Sequence, residues 1–299
     1  MMITVSNNTY PTKMLGVVTL YNPEPEEAAS NIMRYISNLD ALIVWDNSPL
    51  EKNVKNEVLG RLSDVAEKII WHGDGKNYCI APAINFAWHH AAENGYDLIL
   101  LMDEDSAWED FEAYRKDVTE IYDNGRLVIS TPYVVGCDSF EISQQEQRKD
   151  LFINSGTVIP TQIMTELGGV DEDAFPLDAV DHDIAFRARG KGYDTVCLTN
   201  HKLNHSLGYP QRLGIFKIFT PNYNAFRTFT MTRSHVICYR KHHKIMSKEE
   251  KQYVYREMLL NKFARILLAE PEKWSRLKAF VKGIISGLRY KIKKNEYGR

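Results

Sequence analysis

Asp103 and Asp105 stand two residues apart at the end of an apolar run, Tyr96–Met102 (YDLILLM). Two carboxylates so spaced on a strand end can reach one divalent cation, directly or through its waters. The stretch also has a plainer reading, because Ser106–Glu109 fits the S-x-x-E pattern of a helix start. A second cluster, Asp178, Asp181 and Asp183, occupies six residues before a helical pattern through Ile184, Phe186 and Ala188. Crowded carboxylates raise one another's proton affinity, which suits a general base. The alternative is a set of acidic residues favoured by a helix dipole. His205, within Asn204-His205-Ser206-Leu207-Gly208, matters as a metal ligand only because the upstream D-x-D exists. Arg227 and Arg233, with Arg240 and Lys241, lie in an aromatic-rich helical stretch. They suit either a solvated basic face or the clamping of a pyrophosphate.

Positioning these groups requires a framework, and the first half of the chain supplies its pattern. The apolar runs Leu15–Leu20, Ala41–Trp45, Ile69–Trp71 and Tyr96–Met102 alternate with helical spacing over Glu26–Leu39 and Ala81–Asn94, the latter closed by Gly95. Alternation of this kind predicts an α/β fold with a mostly parallel sheet and crossover helices. Ligands then bind at the carboxyl ends of the strands, where Thr19/Asn22, Asp46/Asn47 and Asp103/Asp105 fall. The middle of the chain is less regular and acidic. Beyond Tyr209 it turns helical and basic, with Pro271 expected to break a helix running from about Ser247 to Glu270. The expected organisation is a catalytic domain over residues 1–208, with a nucleotide half to about 106 and an acceptor half from 107. A helical basic extension follows over 209–299.

With 299 residues, 44 % hydrophobic and 25 % charged, the chain is long enough to bury a sizeable core. A net charge of -2 gives no reason to expect nucleic-acid binding. That total hides a tail, residues 271–299, in which nine Lys/Arg face Glu272 and Glu296. Cys79, Cys137, Cys197 and Cys238 form no C-x-x-C pair, which fits a reducing cytosol. Met1–Pro11 lacks the apolar core of a signal peptide, and no apolar run reaches the length of a membrane span. The expected location is cytoplasmic, at the inner face of the membrane if the basic end meets lipid. Residues 274–294 offer Trp274, Leu277, Phe280, Val281, Ile284, Ile285 and Leu288 as an apolar stripe flanked by basic residues. That stripe fits an interfacial helix or packing on protein equally well. His89-His90 and His242-His243 read as surface residues on helices.

Taken together, the motifs resemble the family 2 inverting glycosyltransferases of GT-A fold, in particular their bacterial rhamnosyltransferase-like branch. The likeness runs through Val17–Pro23, Val44–Ser48, Asn77–Asn85, Leu101–Ser106 and Ile153–Thr157. It continues in the Asp178/Asp181/Asp183/Arg187 run, Leu203–Gly208, Arg227–Ser234 and Phe280–Leu288. It implies a Rossmann-like sheet flanked by helices, with a helical C-terminal extension. It implies that Thr19, Asn22, Asp46, Asn47, Asn77 and Asn85 surround the nucleoside of a nucleotide-sugar donor, dTDP-rhamnose or a UDP-sugar. Asp103 and Asp105 would hold donor and Mg2+ or Mn2+, with His205 a further ligand. Arg227 and Arg233 match the late arginine pair at the donor, and Asp181 the base that deprotonates the acceptor hydroxyl. Ser155, Gly156, Asp178 and Asp183 would face a saccharide acceptor, lipid-linked in many such enzymes, in the synthesis of cell-surface polysaccharide. Homo-oligomers and a membrane surface are compatible partners. Cys79 stands where the family usually has Gly, Asn154 where it has Ser or Thr, and His182 lies inside the acid cluster.

Two rival classes bear on the same residues. A nucleotidyltransferase making nucleotide-sugars also uses an α/β sheet and a metal-binding Asp, but normally opens with a Gly- and Arg-rich loop. Here that loop is Tyr21–Pro25, with no Gly, Arg or Lys. A non-catalytic saccharide-binding scaffold would have no need to retain Asp103, Asp105, Asp181 and His205 together.

Overall fold

The structure is a computed structural model that describes residues 11–138, 140–205, 211–213, 218–220 and 222–292. The Met1–Tyr10 segment, Ser206–Gly208 of the His205 motif, and Lys293, Lys294, Glu296 and Arg299 of the tail lie outside the described residues. The chain divides into two compact units, residues 1–170 with 191–206, and residues 171–190 with 207–299. The segment 171–190, placed by sequence in the first domain, thus groups with the C-terminal helices.

The first unit is built on one nine-stranded sheet. Its strands are β1 (Met14–Leu20), β2 (Ala41–Asp46), β3 (Ile69–His72), β4 (Leu98–Asp103), β5 (Ser106–Trp108), β6 (Ile129–Val135), β7 (Glu146–Arg148), β8 (Val158–Pro160) and β9 (Thr195–His205). The order is β3-β2-β1-β4-β8-β6-β9-β5, with β7 against β9. The β3-β2-β1-β4 block is parallel throughout, while β8, β5 and β7 add antiparallel pairs. The fold is therefore α/β with a mixed sheet; the β3-β2-β1-β4 block lies where the sequence periodicity put it, and β6 and β9 form a further parallel pair that the periodicity did not place. β1 and β4 read as unbroken apolar runs because both of their faces are covered.

The covering helices are α1 (Pro25–Met33), α2 (Val54–Arg61), α3 (Ala81–Asn94), α4 (Phe111–Asp123) and α5 (Thr161–Leu167). Pro25 opens α1 at a position where its missing amide costs nothing. Gly95 closes α3 at φ 69. Ser106 begins a strand rather than a helix. The cap of α4 is Asp110, which accepts the Ala113 amide at 3.0 Å. Trp108, Phe111 and Tyr114 anchor the core beneath β4.

The second unit comprises α6 (Val180–Gly190), a hairpin of β10 (Gln211–Leu213) and β11 (Ile218–Thr220), and α7 (Ala225–His242). α8 (Lys248–Tyr253), a π-helical stretch (Val254–Asn261) and α9 (Lys262–Leu268) then form one continuous helical run, followed by α10 (Lys273–Arg289). Ser247 and Glu250 build a capping box at its start, and Pro271 separates α9 from α10. Buried Glu270 accepts from Lys262 (3.3 Å), Arg276 (3.0 Å) and the Thr220 hydroxyl (2.6 Å), so one carboxylate ties three elements together. α10 packs along α7 through small residues. A Cβ at Gly283 would lie 2.9 Å from the Phe229 carbonyl oxygen and from Thr232, and one at Gly287 would lie 2.8 Å from Val236. No helix of the described residues is long and apolar enough to cross a membrane.

Gly283→Leu is expected to lower the thermal midpoint, because overpacking costs about 1–3 kcal/mol and outweighs the helix-propensity gain of about 1 kcal/mol. An unchanged or raised midpoint would mean that α10 does not pack on α7 through this residue.

Candidate active site

In the first unit the chain runs β1, β2, β3 to one side and returns with β4 on the other side of β1. The switch point of the sheet therefore lies between β1 and β4. Register places Thr19 beside both Trp45 and Asp103, and Leu20 beside Asp46, so the expected polar groups share one carboxyl edge. The loop after β2 is held by its own side chains. Asp46 accepts the Ser48 amide (2.8 Å), and the Ser48 hydroxyl accepts the Asn22 amide (2.8 Å). Asn47 is buried, with Nδ2 donating to the Cys79 carbonyl (3.0 Å) and Oδ1 accepting the Tyr78 amide (2.9 Å). It staples two loops together and offers little to a nucleoside. Asn77 is exposed and turns the loop by accepting the Cys79 amide. Cys79 itself adopts φ 64, a conformation that favours glycine. Asn85, expected at the nucleoside, instead holds both backbone groups of Val170 (2.8 and 3.0 Å) and is a structural clamp.

The D-x-D lies on the tight connection from β4 to β5. Glu104 turns away from it, accepting the Tyr21 amide at 2.6 Å and giving its carbonyl to Asn31. Burial pushes the Glu104 carboxyl up to about 8; the Tyr21 amide opposes this, and Asp105, Asp103 and Asp46 add to it. β5 pairs with the end of β9 so that Ser106 sits opposite His205. A line of hydrogen bonds follows: the Asp103 amide donates to Ser155 Oγ (3.2 Å), Ser155 Oγ to Ser106 Oγ (2.7 Å), and Ser106 Oγ meets His205 Nδ1 (2.8 Å). Ser155 is wholly buried, and Gly156 has φ 81 with no room for a Cβ against Leu203 and Pro132. Both were expected at the acceptor; Ser155 Oγ is instead taken by its hydrogen bonds to the Asp103 amide and Ser106. They position the D-x-D.

Asp103, Asp105 and His205 each bring one ligand atom within 4.8 Å of the others. Asp105 Oδ1 is buried without a hydrogen bond of acceptable geometry, although His205 Nδ1 lies at 3.3 Å. Burial lowers the proton affinity of His205, but Asp105 and Asp103 raise it more, for a net shift upward. Two carboxylates and an imidazole at one sheet edge are a donor set that Mg2+ or Mn2+ takes. The residues present therefore fit such an ion.

In the second unit, Ala179 adopts φ 63 immediately before α6 and turns Asp181 into the first turn of that helix. Asp181 is partly exposed and accepts the His182 amide at 2.8 Å. Burial pushes its carboxyl up to about 6, against the pull of that amide and of His235. Asp183, two residues on, has no exposed surface. It takes Arg187 (2.8 Å), Lys241 (2.9 Å) and His242 (2.7 Å). Burial opposes its charge, but these partners hold it well below the usual carboxylate range. The expected contact of Asp183 with an acceptor is thereby corrected, as is the expected surface position of His242, which is fully buried. Asp178 lies 3.7 Å from Arg227 Nε, and burial raises its proton affinity against the pull of Arg227 and His235. Arg227 stacks on Tyr223 (4.2 Å), and its buried Nε has no hydrogen-bond partner. Arg233 is engaged by Ser286, Asp173 and Tyr290, which takes it out of the expected arginine pair.

No protein-family profile and no curated protein sequence matches the chain. Its fold is similar to that of the mannosyltransferase PcManGT from Pyrobaculum calidifontis, solved with GDP-Man and Mn2+ (TM-score 0.56, 15 % identity, 95 % of this chain and 77 % of that one). It is also similar to S. aureus TarS 1–349 (TM-score 0.54, 12 % identity, 91 % and 81 %). A third likeness is to GalNAc-T7 with UDP, GalNAc and Mn2+ (TM-score 0.57, 11 % identity, 94 % of this chain), of which the chain spans 56 %. At such identities the likeness establishes the fold. It is the GT-A fold of these glycosyltransferases, with a helical C-terminus.

Asp183→Asn is expected to destabilise the protein by about 3–5 kcal/mol, because Arg187 and Lys241 lose their buried counter-charge. Since the folded carboxyl titrates below its unfolded value of about 4, its contribution is present above that pH and is lost as pH falls towards the folded value. Denaturant melts from pH 7 to pH 3 check both. A variant as stable as wild type at pH 7 would mean that the cluster is not a structural hub.

Proposed function

We propose that the protein is a metal-dependent inverting glycosyltransferase of the family 2 type. It moves a hexosyl or rhamnosyl group from dTDP-rhamnose or a UDP-sugar to a saccharide hydroxyl in the synthesis of bacterial cell-surface polysaccharide. The observation that carries this is the meeting of Asp103, Asp105 and His205 at the switch point of a GT-A sheet. The similar PcManGT was solved with a nucleotide-sugar and Mn2+, in keeping with that donor class.

Asp103, Asp105 and His205 hold the divalent cation, which when bound neutralises charge on the diphosphate leaving group. Thr19, Asn22 and Asp46 form the edge that receives the nucleoside, with the loops beneath them fixed by Asn47 and Asn77. Arg227 offers its half-exposed guanidinium to the departing diphosphate, and Asp178, 3.7 Å from its Nε, positions it. Asp181 takes the proton from the acceptor hydroxyl as that oxygen attacks the anomeric carbon from the face opposite the leaving group. Its carboxyl, raised to about 6, is ionised at neutral pH yet basic enough to receive that proton. A nucleotidyltransferase normally carries a Gly- and Arg-rich loop after β1, and Tyr21–Pro25 contains no Gly, Arg or Lys.

Asp181→Asn is expected to cut transfer by about 10²–10⁴-fold while donor affinity stays near wild type. In the wild type, transfer at saturating substrate should fall about tenfold per pH unit below about 6 and level off above, since only the ionised carboxylate accepts the proton. Transfer in the variant above about a tenth of wild type would remove Asp181 from the base role. Release of free nucleoside diphosphate from a panel of nucleotide-sugars, with and without Mn2+, identifies the donor.

A further inference from the structure

α10 carries two faces with different fates. At about 100° per residue, Arg276, Ala279, Phe280, Gly283 and Gly287 fall on one side, all buried, the two glycines against α7. Trp274, Val281, Ile285 and Leu288 fall on the opposite side and are exposed, Trp274 by 78 % and Leu288 by 57 %. The apolar stripe legible in the sequence is therefore divided: Phe280 packs inward, Leu277 and Ile284 are half-buried at the flank, and Trp274, Val281, Ile285 and Leu288 face out. Beside the outer apolar row run Lys278, Lys282 and Arg289, all exposed. No Asp or Glu occurs anywhere from Lys273 to Ile292.

We propose that this outer face of α10 docks the protein on an anionic lipid surface, lying in the plane of the interface. An exposed row of large apolar side chains is costly to keep in water. A basic row beside it, with no carboxylate on the helix, selects a negatively charged apolar boundary over a neutral protein surface. Lys and Arg stems of this kind lie along the apolar row while their charges reach phosphate groups. Trp at one end of the helix suits the headgroup boundary. Packing of α10 on α7 through Gly283 and Gly287 holds the outer face on a rigid support, so docking needs no refolding. This proposal does not depend on the glycosyltransferase reading, which rests on the first unit and on Asp181.

The test is flotation of the full-length protein with phosphatidylcholine vesicles that contain or lack phosphatidylglycerol. It uses wild type, Trp274→Ser/Leu288→Ser and Lys278→Glu/Lys282→Glu, each with a thermal melt to confirm folding. Wild type is expected to float with phosphatidylglycerol vesicles at an ionic strength of about 0.01 M and to lose binding at about 1 M, where screening lengths are about 30 and 3 Å. Both double variants should bind about tenfold or more weakly with unchanged melts and unchanged hydrolysis of a soluble nucleotide-sugar. Absence of flotation, or flotation equal in the folded variants, overturns the proposal. So does a wild-type dimer in sedimentation velocity that both variants dissociate, because a second copy of the chain would then cover the face.

Discussion

Two serine hydroxyls decide where the candidate metal ligands stand. The D-x-D lies on a short connection that by itself would sample many conformations, each ordered residue costing about 1–2 kcal/mol in backbone entropy. Here the Asp103 amide is held by Ser155, Ser155 by Ser106, and Ser106 by His205, all in a buried or half-buried line. Because hydroxyls can donate in either direction, the line holds His205 by Nδ1 in either tautomer, a partner of the kind that metal-bound imidazoles require. Gly156 follows from the same constraint: Ser155 reaches the line only if the next residue takes φ 81 against Leu203 and Pro132, where a side chain would collide.

The second unit shows how environment separates chemically identical groups. Asp181 and Asp183 are two residues apart on α6, yet one is pushed up to about 6 and the other held far below the usual range. Burial raises both. Arg187, Lys241 and His242 converge on Asp183 alone, whereas Asp181 has the His182 amide and a weak pull from His235. A helix that carries a structural carboxylate fully paired with cations and a second one left basic assigns the roles of anchor and proton acceptor. Glu270 repeats the anchoring device between β11, α9 and α10.

The β3-β2-β1-β4 block was legible because its strands β1, β2 and β4, buried on both faces, must be continuously apolar. The limits of β1 to β4 and of α3 follow from that run length and from Gly95. The antiparallel additions β5 and β8 were not legible, since three residues carry no period, and Ser106–Glu109 matched a capping pattern equally well. The metal-ligand candidates Asp103, Asp105 and His205 were recognisable by residue type and converge as expected. The donor-edge and acceptor residues were less so. Asn47, Asn85, Ser155, Asp183 and Arg233 have the right chemistry for ligand contact, but their hydrogen bonds are taken by the protein itself. Only three-dimensional pairing reveals that. Ala179, whose left-handed backbone positions Asp181, carries no sequence signal at all.

The proposed function stands or falls on a divalent cation held jointly by Asp103, Asp105 and His205. Pulsed electron paramagnetic resonance of Mn2+ bound to the protein with a nucleoside diphosphate reads this directly. One tightly bound Mn2+ with modulation from a coordinated imidazole nitrogen is expected. That modulation should vanish in His205→Ala, and binding should weaken in Asp105→Asn. Absence of bound Mn2+, or nitrogen modulation unchanged in His205→Ala, would contradict it.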